Sequence, residues 1–152
     1  KNNMTIILVG IIGAIVSAVV GTIWYNDALT PMGKWHMQYL GFDKLSKEEK
    51  EALRKEMGPK MWTTYGAQML LSLLTSLFIG FVTSYSVQNG APASSIYFYI
   101  PLIWLCFTVP MIGQNVLWGT SKGSLAWKRF LSDSASNLVS FLIIAFIATL
   151  FF

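Results

Sequence analysis

Four long apolar runs, with a single charged residue among them, constrain this chain more than any other feature. They cover about residues 4–25, 62–87, 96–118 and 131–152, and only Asp133 interrupts them with a charge. A helix rises about 1.5 Å per residue, and a bilayer core is about 30 Å thick. Each run is therefore long enough to cross. The rest of the composition agrees. Charged residues make up 12% of the chain and hydrophobic ones 54%. A soluble domain carries about 25% charged residues. This excludes a soluble enzyme, a disordered tail and a disulfide-stapled secreted module. The expected architecture is a single all-α integral membrane domain, a four-helix bundle spanning residues 1–152.

The first run is too long for a signal-peptide core of about 7–15 residues, so it is read as a retained span. The connections between runs differ in kind. Residues 26–61 form a long charged loop, 88–95 (QNGAPASS) a short uncharged turn, and 119–130 a short basic link. Within the long loop, Ser46-Lys47-Glu48-Glu49 fits a capping box, with Ser46 as the cap and Glu49 reaching back to it. Glu51 and Lys55 then form a favourable i, i+4 pair, and Gly58-Pro59 marks a stop. A short amphipathic helix is expected over about 47–57, with Leu53 and Met57 on its narrow apolar face. Acids and bases nearly balance there, which favours a solvated connector over a lipid- or nucleic-acid-binding helix.

Basic residues set orientation in membrane proteins. Every Lys and Arg except Lys1 falls in the first or third connection, from Lys34 to Lys60 or at Lys122, Lys128 and Arg129. Loops 26–61 and 119–130 are therefore expected in the cytoplasm and both termini outside, in a bacterial inner membrane. Trp24, Tyr25, Trp35, Trp62, Trp118 and Trp127 gather at that end and are expected as interfacial anchors. Trp104 alone lies deeper. The net charge of +4 reads as orientation, because no basic stripe on a polar scaffold offers a nucleic-acid surface.

Lipid tails are as apolar as leucine, so close approach through small residues has to hold the bundle. Gly10, Ala14 and Ala18, and Gly13, Ser17 and Gly21, form two such ridges on the first helix. Ser72, Ser76, Gly80 and Ser84 do so on the second, and Ser132, Ser136 and Ser140 on the fourth. Packing is favoured over a polar pore lining, since a serine hydroxyl can bond back to its own helix. Pro101 and Pro110 each remove a helical donor from the third run, and a kink is expected near Pro110.

Depth along the helices brings five polar groups to one level. Gln68 lies about 9 Å inside the second run. Gln114 and Asn115 are close to the end of the third, and Asn137 and Asp133 near the start of the fourth. Amides at this depth are expected to point inward. The layer is either a hydrogen-bonded lock or a small cavity for a ligand, a lipid headgroup or an ion. Asp133 has a simpler reading as a cap of the fourth helix paired with Arg129.

No catalytic constellation emerges. The single His36 lies between Trp35 and Met37 in the loop, and Asp27 follows Trp24-Tyr25 at the interface. One His and one Cys, Cys106, are too few for zinc, haem or iron–sulfur ligation, so no metal or cofactor is expected.

Several of these residues together resemble a known family. Trp24-Tyr25 followed by Met32-Gly33-Lys34-Trp35, then Lys60-Met61 and Tyr65-Gly66-Ala67-Gln68, then Pro110 and Asn115-Val116-Leu117-Trp118-Gly119, are similar to the domain of unknown function 1761 family of small bacterial membrane proteins. Asn26-Asp27-Ala28-Leu29 and Asn137 depart from its pattern, Asn137 standing where a His is expected. The resemblance implies four spans and supplies no activity. The leading functional expectation is a non-catalytic membrane protein, an accessory or packing subunit of a larger complex or homo-oligomer, in contact with lipid and other membrane chains. The alternative is a small transporter or ligand- or lipid-binding protein that uses the polar layer. A membrane enzyme using Asp27, His36 or Asp133 ranks third.

Overall fold

A computed structural model describes residues 2–118 and 123–152. Lys1, Gly119 and Lys122, used above, lie outside the described residues, as do the side chains of Asn2, Arg54, Met57 and residues 59–61. The described residues contain no strand. Helix α1 spans Asn2–Trp24, α2 Pro31–Tyr39 and α3 Lys47–Gln88. Then come α4 (Ile96–Ile103), a π-helical turn over Trp104–Thr108, α5 (Val109–Trp118) and α6 (Ser124–Phe151). Among the described residues, four stretches are long and apolar enough to cross a membrane: Asn3–Trp24, Trp62–Gln88, Ala93–Trp118 and Ser124–Phe151. The protein is an all-α, four-span membrane bundle.

Three boundaries differ from the sequence reading, each for a local reason. The loop helix is real and its capping box is complete. The Ser46 Oγ accepts from the Glu49 amide at 3.2 Å, and Glu49 Oε2 accepts from the Ser46 amide at 2.7 Å. The Ser46 amide bonded to the carboxylate, and then the Ser46 hydroxyl, hold the Glu49 carboxyl below its ordinary range. The helix does not stop at Gly58-Pro59, however. It runs on into the second span as one element of 42 residues, about 63 Å long. A proline removes one amide donor, and outside the hydrocarbon water can solvate the carbonyl it frees. Next, α6 begins at Ser124 rather than near 131, so Asp133 is well inside the helix and does not cap it. Finally, a further helix, α2, opens with Thr30 accepting from the Gly33 amide at 3.0 Å and Pro31 at its first position.

The bundle is organised around α6, which touches α1, α2, α3, α4 and α5. Its densest packing is between α1 and α3. Gly10 and Gly13 let the backbones approach there. A methyl placed on Gly13 would stand 2.5 Å from the Ser76 Oγ, and one on Gly10 2.5 Å from the Leu77 Cδ2. Ala14 and Ser72 are buried in the same seam, Ser17 is half-buried, and Gly80 faces Val9. The Ser76 hydroxyl has no solvent exposure and bonds back to the Ser72 carbonyl at 2.8 Å. The ridge thus supplies small volume without leaving an open donor. Gly21 belongs to the ridge in sequence but meets nothing within 4 Å.

The apolar core lies toward the end that holds the 88–95 turn. Val9, Ile79, Ile96, Ile100, Ile144, Ala145 and Ala148 form it. At the opposite end, which carries the basic connections, the bundle opens. Every residue of α3 from Trp62 to Leu70 is exposed, and its packing resumes only beyond Leu71.

Candidate functional site

The polar chemistry of the protein collects where α1, α2 and α6 meet at the basic end. At the end of α1, Trp24 and the following Tyr25 turn inward. Trp24 Nε1 donates to Ser132 Oγ at 3.1 Å, and the Tyr25 hydroxyl donates to Asp133 Oδ1 at 2.7 Å. On the other carboxylate oxygen, Arg129 Nε makes a 3.2 Å ion pair one turn earlier on α6. Both oxygens of Asp133 are therefore engaged.

Helix α2 lies over this arrangement because the chain after α1 folds back tightly. The Thr30 hydroxyl donates to the Trp24 carbonyl, and its oxygen caps α2. Gly33 is buried directly against the Asn26 backbone, where a Cβ would collide with the Asn26 carbonyl. The turn thus requires glycine at position 33. From the docked helix, the Tyr39 ring stacks under the Arg129 guanidinium at 3.9 Å. His36 lies 4.9 Å from the Tyr25 ring, and the Lys128 Nζ stands 5.7 Å from the Trp35 ring. Burial, and then the charge of Arg129, hold the His36 imidazole below its ordinary value, with Asp133 opposing. The buried His36 Nδ1 has no hydrogen-bond partner among the described residues.

Beside this cluster, between α2, α5 and α6, is a cleft of about 250 Å³. Tyr39, Arg129 and Asp133 form its polar side with Asn115, while Ile112, Val116, Ala126 and Phe130 form its apolar wall.

The five polar groups expected as one layer are not gathered. Asp133 and Asn137 are neighbours, since Asn137 Nδ2 donates to the Asp133 carbonyl at 2.8 Å. Asn115 reaches the rim of the same cleft as Asp133. Gln68 and Gln114 are exposed on the outside of the bundle. The side chains of Gln68, Gln114 and Asn115 have no hydrogen-bond partner among the described residues. The anchors also divide. Trp62, Trp118 and Trp127 are exposed, whereas Trp24 and Tyr25 are bonded into α6 and Trp35 is half-buried under Lys128. Trp104 donates across to the Ser134 carbonyl at 2.7 Å and ties the π turn to α6.

The sequence reading paired Asp133 with Arg129 but missed Tyr39 and Tyr25 as their partners. A signal was present. Thr30-Pro31 is a helix start, and Trp35 and Tyr39 are one turn apart, on the face that meets the two cations of α6. No group of three or more metal-ligating side chains occurs among the described residues.

No curated protein and no solved structure matches the chain significantly. The residues that build the docked α2, the pair Trp24-Tyr25 and the Met32-Gly33-Lys34-Trp35 stretch, are also those that carried the family resemblance. A family model agrees with them over residues 8–149, and the chain belongs to the family described as Protein of unknown function (DUF1761).

Proposed function

We propose that this protein is a non-catalytic subunit of a larger membrane assembly, working through lateral contact with a transmembrane helix of another chain. The observation that carries this reading is the first part of the second span. Trp62 to Leu70 are exposed all round the helix, although they lie in a stretch apolar enough to be in the bilayer. That segment includes Tyr65 and Gln68. A primary amide in hydrocarbon without a partner is costly, whereas an interhelical bond returns about 0.6–2 kcal/mol. Gly66 lies beside them with nothing within 4 Å of its Cβ position. Its small size serves no packing inside the chain, and small residues are what let a second helix approach. The positive-inside rule supports the further reading that this end faces the cytoplasm of a bacterial inner membrane, with both termini outside.

Gly66→Leu is the direct test, because the monomer has room for the side chain. The full-length protein is purified in mild detergent, and a photoreactive residue is placed at position 68. The expected result is a cross-linked species of defined mass, either twice the chain or the chain plus one partner. Gly66→Leu should abolish it without changing the melting temperature. A wild-type chain that stays monomeric in bilayers and gives only lipid cross-links at position 68 overturns the reading.

A further inference from the structure

The cleft between α2, α5 and α6 combines features that the assembly reading leaves unused. Arg129 is held in place from two sides. Its Nε is bonded to Asp133 and its planar face rests on Tyr39. That leaves Nη1 and Nη2 as a fixed pair of donors with no partner among the described residues. A guanidinium fork of this kind matches two oxygens of a phosphate. Asp133 also lines the cleft, with its two oxygens directed to Tyr25 and Arg129. Lys128, the preceding residue, lies over Trp35 rather than in the cleft, so Arg129 is the cation that lines it. The amide of Asn115, exposed and unpaired at the rim, is a further donor.

The opposite wall is apolar, made by Ile112, Val116 and Phe130. A cleft of about 250 Å³ has room for roughly eight liquid waters, or a phosphate with the first carbons attached to it. It lies one turn inside Trp118 and beside Trp127, both exposed as interfacial tryptophans are. We infer that this cleft is a binding site for the phosphate of an anionic phospholipid, with Arg129 and Asn115 on the phosphate oxygens and the α5–α6 wall against the start of the acyl region.

Binding is measured on the delipidated full-length protein in mild detergent by native mass spectrometry and thermal shift. Three probes separate the sources. Dioctanoyl phosphatidic acid carries phosphate and tails, dioctanoylglycerol only tails, and inorganic phosphate only the anion. One phosphatidic acid per chain is expected, bound at least about tenfold more tightly than either other probe, the factor that one charge-assisted hydrogen bond supplies. Arg129→Lys keeps the charge but loses the fork, and should weaken the lipid about tenfold. Ile112→Trp fills the cleft without touching the ion pair, and should remove binding while the protein still melts cooperatively. If inorganic phosphate binds as tightly as the lipid, the oxyanion site stands and its ligand is the free anion. Equal binding of dioctanoylglycerol and phosphatidic acid, or undiminished binding to a folded Ile112→Trp variant, overturns the inference. Should Arg129→Lys fail to fold, Ile112→Trp decides alone.

Discussion

One methyl group at two positions of α1 separates the packing argument from helix propensity. At Gly13 the new Cβ would lie 2.5 Å from the Ser76 Oγ, 2.8 Å from the Ser76 Cβ and 3.2 Å from the Ile144 Cγ2. Ser76 is fully buried and back-bonded, and Ile144 belongs to the core, so neither neighbour can turn away. The α1–α3 seam must open instead, and overpacking of this kind costs about 1–3 kcal/mol. At Gly21 the same methyl meets nothing within 4 Å. Both variants gain whatever Ala offers over Gly in a helix, about 1 kcal/mol at most, so that contribution cancels between them. Gly13→Ala should therefore be less stable than Gly21→Ala by about 1–3 kcal/mol. Gly10→Ala should fall between, because its nearest neighbour is the end of the flexible Leu77 side chain. Equilibrium unfolding in mixed micelles on increasing SDS, followed by tryptophan fluorescence, measures the order. A Gly13→Ala variant as stable as Gly21→Ala would refute the claim that close backbone approach holds α1 against α3.

Two further outcomes follow from the basic end. Tyr25→Phe deletes a donor to a charged acceptor and should cost about 1.5–3 kcal/mol, most of it recovered as coupling in a double-mutant cycle with Asp133→Asn. Because the folded state depresses the His36 pKa, the docked form binds fewer protons than the undocked one. Stability should hold above the ordinary value of 6.5 and decline as pH falls from there toward the lowered value. Trp35 fluorescence should report that decline as α2 loosens, and His36→Gln should remove the slope.

The spans were legible because a charge inside hydrocarbon is expensive and leaves a gap in the pattern that length alone can read. The capping box at Ser46 was legible because its two bonds are local. Sequence depth also placed Asp133, Asn137 and Asn115 near one level. It could not say which way each group faces. Gln68 belongs to a part of α3 that leaves the bundle, a tertiary fact with no local mark. Gly58-Pro59 was misread as a stop because its residues are helix breakers in isolation, and a 42-residue helix spreads that cost over many bonds. Tyr39 was missed because its partner, Arg129, lies on another span.

The third span shows why facing was the hardest part to read. Ile96 and Ile100 are buried, and Trp104, Thr108, Ile112 and Val116 continue the half-buried side of the same span at four-residue steps. On a straight α-helix a four-residue step drifts about 40° each time, so Val116 would have turned about 200° away from Ile96. The π turn over Trp104–Thr108 absorbs about one residue of that drift, roughly 100°, and helps keep Ile112 and Val116 toward α6. Its cause is in the sequence. Pro110 cannot donate to the Cys106 carbonyl, and the Val109 amide reaches back to the Trp104 carbonyl, five residues away. The proline thus acts as a rotation of α5 rather than a simple bend, and the apolar wall of the cleft depends on that rotation. Pro110→Ala restores the donor and lets the helix close to α geometry. Single cysteines at positions 112 and 116, in a chain with Cys106→Ala, should then change from slow to fast labelling by a membrane-permeant thiol reagent, while position 100 stays protected. An unchanged labelling pattern would mean that contact with α6, anchored by Trp104 on the Ser134 carbonyl, holds the π turn without the proline.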